Sequence, residues 1–201
     1  MAATAVSAKP GKASAAPVRK RPTRIALTGF MGAGKTTVGE LLARKLGWRF
    51  VDVDVEIESA AGAPVAELFA THGEPWFRLR EHETIRQLLN SSEMVLALGG
   101  GAIEDERTRT MLLAAQELSA SETGRDTWLV HLEVSLETVL LRCRGTENLR
   151  PIFADSTNLE SRYRLRLPLY RQSHLSIAVD MLTPEAVVEA ILDQTGIVSC
   201  G

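Results

Sequence analysis

Arg24-Ile25-Ala26-Leu27-Thr28-Gly29-Phe30-Met31-Gly32-Ala33-Gly34-Lys35-Thr36-Thr37 is the stretch from which the rest of the chain can be read. Ile25–Thr28 is a short apolar run stopped by glycine, which predicts a strand, and residues 29–34 form a glycine-rich loop. Val38, Leu41, Leu42 and Leu46 then recur at helical spacing over residues 35–46. Gly-x-x-x-x-Gly-Lys-Thr between a strand and a helix is the phosphate-loop pattern in full. Glycines let backbone N–H groups curl around phosphate oxygens, and the helix N-terminus adds partial positive charge. In that pattern Gly32, Ala33, Gly34 and Thr37 line the phosphates, Lys35 reaches the outer ones, and the Thr36 hydroxyl ligates magnesium.

Outward from this loop, short apolar runs alternate with helical patterns. Strands are expected at Phe50–Val53, Met94–Leu98, Trp128–Leu132 and Ser176–Val179. Helices are expected over 64–90 with a break near Gly73–Pro75, from the Gly99–Gly101 turn to about Leu118, after Ser135, and over 157–171. Thr183, Pro184 and Gly196 bracket the last helix as N-cap, first turn and C-cap. Such alternation predicts an α/β fold with a parallel sheet covered on both faces, and ligands at the carboxyl ends of its strands.

The 201 residues suit one domain, with a tail of residues 1–22 ahead of a body of 23–201. The tail is rich in Ala, Ser, Lys and Pro without periodicity, and reads as disordered. It lacks the apolar segment of a secretory signal; its acid-poor composition loosely resembles an organelle transit peptide, and a solvated extension is the plainer reading. No apolar run reaches the ~18 residues of a membrane span. Two cysteines make no disulfide framework, which suits a reducing, cytoplasmic setting. Residues 1–24 hold six basic side chains and no acid; the remaining 17 basic and 25 acidic side chains leave a net charge of −8. An acidic body argues against nucleic-acid binding and leaves an anionic substrate to a few placed cations.

Several groups could serve an acceptor. Asp52 and Asp54 end the second expected strand two residues apart, hence on one face, where they could hold magnesium water and act as a base. Arg78 and Glu81 lie three apart on a helix. Gly99, Gly100 and Gly101 at a strand end let a ligand touch the backbone, or make a tight turn. Residues 142–171 carry seven arginines, no lysine and three acids, a +4 segment in an acidic body. Within it, 145–157 lacks periodicity and reads as a lid loop that would bring Arg150 over the phosphates.

Taken in order, Gly-Phe-Met-Gly-Ala-Gly-Lys-Thr-Thr at 29–37, Asp-x-Asp at 52–54, Phe-Arg-x-x-Glu at 77–81, the glycine triplet, Leu-Arg-Pro at 149–151 and Arg-Leu-Pro-Leu-Tyr at 166–170 resemble the shikimate kinases over residues 24–195. The resemblance implies a three-layer α/β/α P-loop kinase fold with a five-stranded parallel sheet and a moving lid. It implies transfer of the γ-phosphoryl group of MgATP to the 3-hydroxyl of shikimate by a monomer. Lys35 would stabilise the transferring group, with Mg2+ held by Thr36 and, through water, Asp52. Asp54 would bind and deprotonate the hydroxyl. Arg78, oriented by Glu81, and Arg166 would clamp the carboxylate beside Gly99, Gly100 and Gly101. Arg150 would close onto ATP, and Arg144 would stack on adenine. One departure is the short Asp180-Met181-Leu182-Thr183-Pro184 segment, where relatives carry a longer loop with an arginine beside adenine. Another small-acceptor P-loop kinase, such as a gluconate kinase, is the alternative enzyme. A nucleotide-binding module without catalysis is the remote one, disfavoured because Lys35, Asp54 and Arg150 are all present.

Overall fold

The computed structural model of the chain describes residues 22–114, 127–143 and 156–197. Five strands form one parallel sheet: β1 (Arg24–Thr28), β2 (Arg49–Asp52), β3 (Met94–Ala97), β4 (Thr127–Glu133) and β5 (Leu175–Ala178), in the order β2-β3-β1-β4-β5. Eight helices accompany them among the described residues: α1 (Lys35–Leu46), α2 (Val53–Ala61), α3 (Val65–His72), α4 (Glu74–Leu88), α5 (Glu106–Ala114), α6 (Leu136–Cys143), α7 (Ser156–Tyr170) and α8 (Pro184–Thr195). None is long and apolar enough to cross a membrane.

Period-two alternation on the central strand divides the core. Ile25 and Leu27 of β1 face a layer with Leu42 of α1 and Ile191 of α8, whereas Ala26 faces Ile57, Phe77 and Ile85 on the other side. The central strand is therefore covered on both faces, as in parallel sheets generally. Arg24 opens β1 as a buried cation, donating to Thr127 Oγ1 at 2.7 Å and to the carbonyls of Leu89 and Ser91. It ties β1 to β4 and to the end of α4, satisfying carbonyls that the helix leaves without partners.

Two expected boundaries move. The second strand stops at Asp52, and residues 53–61 form α2, a helix that the short apolar pattern did not suggest. Asp52 caps it, accepting from the Asp54 backbone N–H at 3.1 Å, so Asp54 stands in a first helical turn and not on an extended segment. Over 64–90 the expected break falls at Gly73, between α3 and α4. After the glycine triplet a single 3-10 turn, Ala102–Glu104, precedes α5.

The lid 145–157 falls almost wholly outside the described residues, as do Arg144 and Arg150; the tail does so up to Arg21. Pro22 is already buried, and the Thr23 carbonyl accepts from Glu93 N–H at 2.7 Å. Deleting residues 2–21 should leave melting temperature and turnover unchanged within error; a large loss of either would show that the tail docks on the body.

Candidate active site

The turn after β1 is built where only glycine fits. Gly29 has φ 145°, and a Cβ there would stand 2.6 Å from the Leu132 carbonyl of neighbouring β4. The loop then closes on itself through Ala33 N–H to the Phe30 carbonyl, and Gly34, in the left-handed region, opens α1. Lys35 Nζ donates to the carbonyls of Gly29 and Phe30, at 2.9 and 3.2 Å, which holds the ammonium over the loop. Gly32 and Ala33 complete the loop, and Thr37 follows Thr36 on the exposed first turn of α1.

Thr36 Oγ1 donates to Asp52 Oδ2 at 2.9 Å. Two residues sixteen apart in sequence are thus brought together at the loop's edge. The pair offers a hydroxyl and a carboxylate, both hard oxygen donors, and leaves room for water and phosphate oxygens. That set fits magnesium, which keeps several waters and takes few protein ligands. Among the described residues no group of three acidic, His or Cys side chains could hold a metal alone.

On the acceptor side α4 contributes Arg78 and Glu81, the glycine triplet follows β3, and α7 contributes Arg166. Arg78 donates to Glu81 at 2.6 Å and to Glu74 at 3.0 Å, and its guanidinium lies 5.6–5.7 Å from the rings of Phe69 and Phe77. Glu81 is 1% exposed, and its Oε1 has no hydrogen-bond partner. The triplet is glycine because the side chains come this close. A Cβ on Gly99 would collide with Glu81 and stand 2.7 Å from Asp54 Oδ1; one on Gly101 would collide with the Arg78 guanidinium. The triplet does turn, with Ala102 N–H donating to the Gly99 carbonyl at 3.0 Å, and it also brings the backbone close to charged groups. Gly100 turns its carbonyl to the Tyr170 hydroxyl at 2.5 Å. Arg166, 5% exposed, lies 5.8 Å from the ring of Phe30 in the phosphate loop and donates to Glu104 at 2.9 Å.

Burial, and then the charge of Asp52, raise the Asp54 carboxyl above its ordinary value, while Lys35 and Arg78 pull the other way. That makes Asp54 a better proton acceptor than a solvated aspartate.

Four groups at or beside the site escaped sequence reasoning. Arg142 reaches the phosphate loop: it donates to the Gly32 carbonyl at 3.0 Å and to that of Val179. Composition does not single it out among the seven arginines of residues 142–171. Asp180, in the short segment before α8, accepts from the backbone N–H and hydroxyl of Ser135 and fixes the start of α6. Met181 beside it is 94% exposed. Tyr170 and Glu104 had no signal beyond their neighbours. The histidines make structural contacts: His72 stacks on Trp76, His82 meets Thr108, His131 stacks on Tyr170, and His174 accepts from Leu129 N–H.

Burial, offset by Arg78, pushes the Glu81 carboxyl up to about 7 from 4.5. Between those values the folded chain keeps a proton that the unfolded chain has released, so this contribution to stability falls as pH rises through the window. The raised Asp54 acts in the same sense. Glu81→Gln cannot ionise. Relative to the parent it should gain on the order of 2–3 kcal/mol of unfolding free energy between pH 5 and pH 8, read by urea unfolding at the two values. The same pH dependence in both proteins would contradict a proton held at Glu81.

The geometry has close counterparts. The family model for shikimate kinase matches residues 31–195. A curated shikimate kinase of Nitrobacter winogradskyi is 42% identical over 82% of this chain and 73% of its own length. One of Persephonella marina is 36% identical over 84% of this chain and 96% of its own. Among solved structures, shikimate kinase from Acinetobacter baumannii in complex with shikimate superposes with a TM-score of 0.75 at 34% identity, covering 87% of this chain and 93% of that one. A chain with this loop, this sheet order and this degree of likeness belongs to the shikimate kinase family.

Proposed function

We propose that the chain transfers the γ-phosphoryl group of ATP to the 3-hydroxyl of shikimate, with the family's roles falling on the residues described above. The observation that carries this is the convergence of Arg78 and Arg166 on one spot beside the glycine triplet, next to the phosphate loop. Two guanidiniums at one point are suited to a carboxylate, and a third group near them, Asp54, is suited to a hydroxyl on the same molecule.

Phosphoryl transfer needs alignment and charge neutralisation more than covalent help. The loop N–H groups and the Lys35 ammonium counter the charge of the phosphates. Thr36 and Asp52 would hold Mg2+, which when bound neutralises charge on the phosphate oxygens. Arg78 and Arg166 fix one end of the acceptor, with Glu81 holding Arg78 in place. Asp54 takes the hydroxyl proton as the oxygen attacks. Arg150 and the lid over 145–157 would close on ATP and exclude water, which would otherwise accept the phosphoryl group. Arg142 stands at the rim of the nucleotide site, and Arg144 retains its expected place near adenine. The reading takes the enzyme to be a cytoplasmic monomer with small-molecule partners and without nucleic-acid or membrane partners. The net charge of −8 over residues 25–201 supports the small-molecule part.

A coupled ADP-release assay with magnesium, comparing shikimate with gluconate, tests the acceptor; turnover with gluconate alone would overturn the assignment. Within it, Arg78→Ala and Arg166→Ala should each cost roughly 2–4 kcal/mol in kcat/KM for shikimate and little in ATP affinity. Asp54→Asn keeps the shape and removes the base, so kcat should fall at least ~10²-fold. Normal shikimate kinetics in either arginine variant would sink the carboxylate clamp, and a smaller loss at Asp54 would reduce it to positioning.

A further inference from the structure

The spot where the two arginines converge is already taken by a carboxylate of the chain itself. Glu104 ends the 3-10 turn Ala102–Glu104, directly after the triplet, and its side chain folds back over Gly101. One oxygen, Oε2, accepts from Arg166 Nη2 at 2.9 Å and lies 4.0 Å from Arg78 Nη2. The same oxygen is 2.9 Å from where a Gly101 Cβ would be.

Charge and hydrogen bonding both mark this as a replaceable partner. Arg78 already has Glu81 at 2.6 Å and Glu74 at 3.0 Å, so the cation offered to a newcomer is mainly that of Arg166. Arg166 meets one oxygen of Glu104 through Nη2 and also bonds the Tyr170 hydroxyl, while its Nε is buried without a hydrogen-bond partner. A carboxylate arriving in the plane of the guanidinium could use Nε and Nη2 together, which is the stronger arrangement and satisfies the orphan donor. Glu104 can yield: its side chain is 25% exposed against 6% for Arg166. It also lines an open cleft with Glu74, Pro75, Arg78, Asp105 and Arg107, into which a displaced side chain can turn.

We propose that Glu104 is a built-in competitor for the acceptor's carboxylate. With no acceptor bound it occupies the Arg78–Arg166 anchor, and an acceptor gains the anchor by exchanging its own carboxylate for that of Glu104. An uncharged acceptor has nothing to exchange and leaves Glu104 in place, so Glu104 lowers the affinity for anionic ring alcohols and not for neutral ones. The inference rests on the carboxylate-clamp reading above and adds to it a residue that works against binding.

The test is calorimetric titration of the full chain, without nucleotide and at fixed pH and ionic strength, with shikimate and with its uncharged methyl ester. Glu104→Gln removes the charge and keeps the volume. It should tighten shikimate roughly 5–20-fold, the scale of one charge-assisted hydrogen bond no longer competed for. The methyl ester should stay within about twofold of the parent. Glu104→Ala carries the same expectation if the glutamine variant folds poorly. Shikimate affinity that is unchanged or weaker would overturn the proposal and make Glu104 a support for Arg166. Equal tightening of acid and ester would overturn it in favour of a steric plug. A parent chain that neither binds nor phosphorylates shikimate would overturn the functional reading itself, whereas failure of the Glu104 variants alone leaves that reading standing.

Discussion

The acceptor half of the site depends on one buried ion pair. Glu81 is withdrawn from water beneath the glycine triplet and is held there by Arg78 at 2.6 Å. Burying a carboxylate is costly unless a cation and hydrogen bonds compensate, and here one oxygen stays unpartnered. That incomplete compensation raises the Glu81 carboxyl. Phe69 and Phe77, stacked at 4.5 Å, wall the guanidinium, while Gly99 and Gly101 leave no side chain between backbone and charge. A methyl group at either glycine would collide with the pair. The pair therefore accounts for the triplet as much as any ligand does.

The same economy links the two halves of the site. Phe30 belongs to the phosphate loop, yet its ring lies against Arg166 and makes an edge contact with Tyr163, both on α7. Tyr170, one turn beyond Arg166, bonds the Gly100 carbonyl. Helix α7 thus touches the nucleotide loop and the acceptor turn at once. Asp52 does likewise from the other side, capping α2 for Asp54 while meeting Thr36 of the loop. Phosphoryl transfer depends on registering two ligands to a fraction of an ångström. Shared contacts of this kind let one rigid sheet edge hold both.

Electrostatically, the body is acidic while the site concentrates Lys35, Arg78, Arg142 and Arg166. Each described cation there is partnered by a carbonyl or a carboxylate of the chain. Binding an anion at such a site is an exchange of partners, and its strength is a difference between two sets of contacts. Arg78 keeps its partners during that exchange, being boxed between Glu74 and Glu81. Arg166, bonded to the part-exposed Glu104 and with its Nε without a hydrogen-bond partner, is the arginine whose environment changes.

What the chain determined by itself was whatever a local pattern carries. Strand, glycine loop and helix over 24–46 are legible because φ demands and apolar spacing act within a few residues. The closing caps at Thr183 and Gly196 are legible for the same reason. The five strands and their parallel pairing follow from alternation, and the acceptor residues were found by their type and order. Tertiary structure decided the rest. A run of Asp-Val-Asp suits a strand end or a helix cap equally, and only the docking of α2 beneath the sheet, with Val53 and Ile57 buried, chose the cap. Arg142 is one of seven arginines over 142–171, and only the packing of α6 brings it to the Gly32 carbonyl of the loop. Glu104 is an ordinary glutamate in a turn until α4 and α7 bring two arginines to it from 26 and 62 residues away. Non-local proximity of charge leaves no local trace, because the energy that creates it belongs to the folded core and not to the residues that meet.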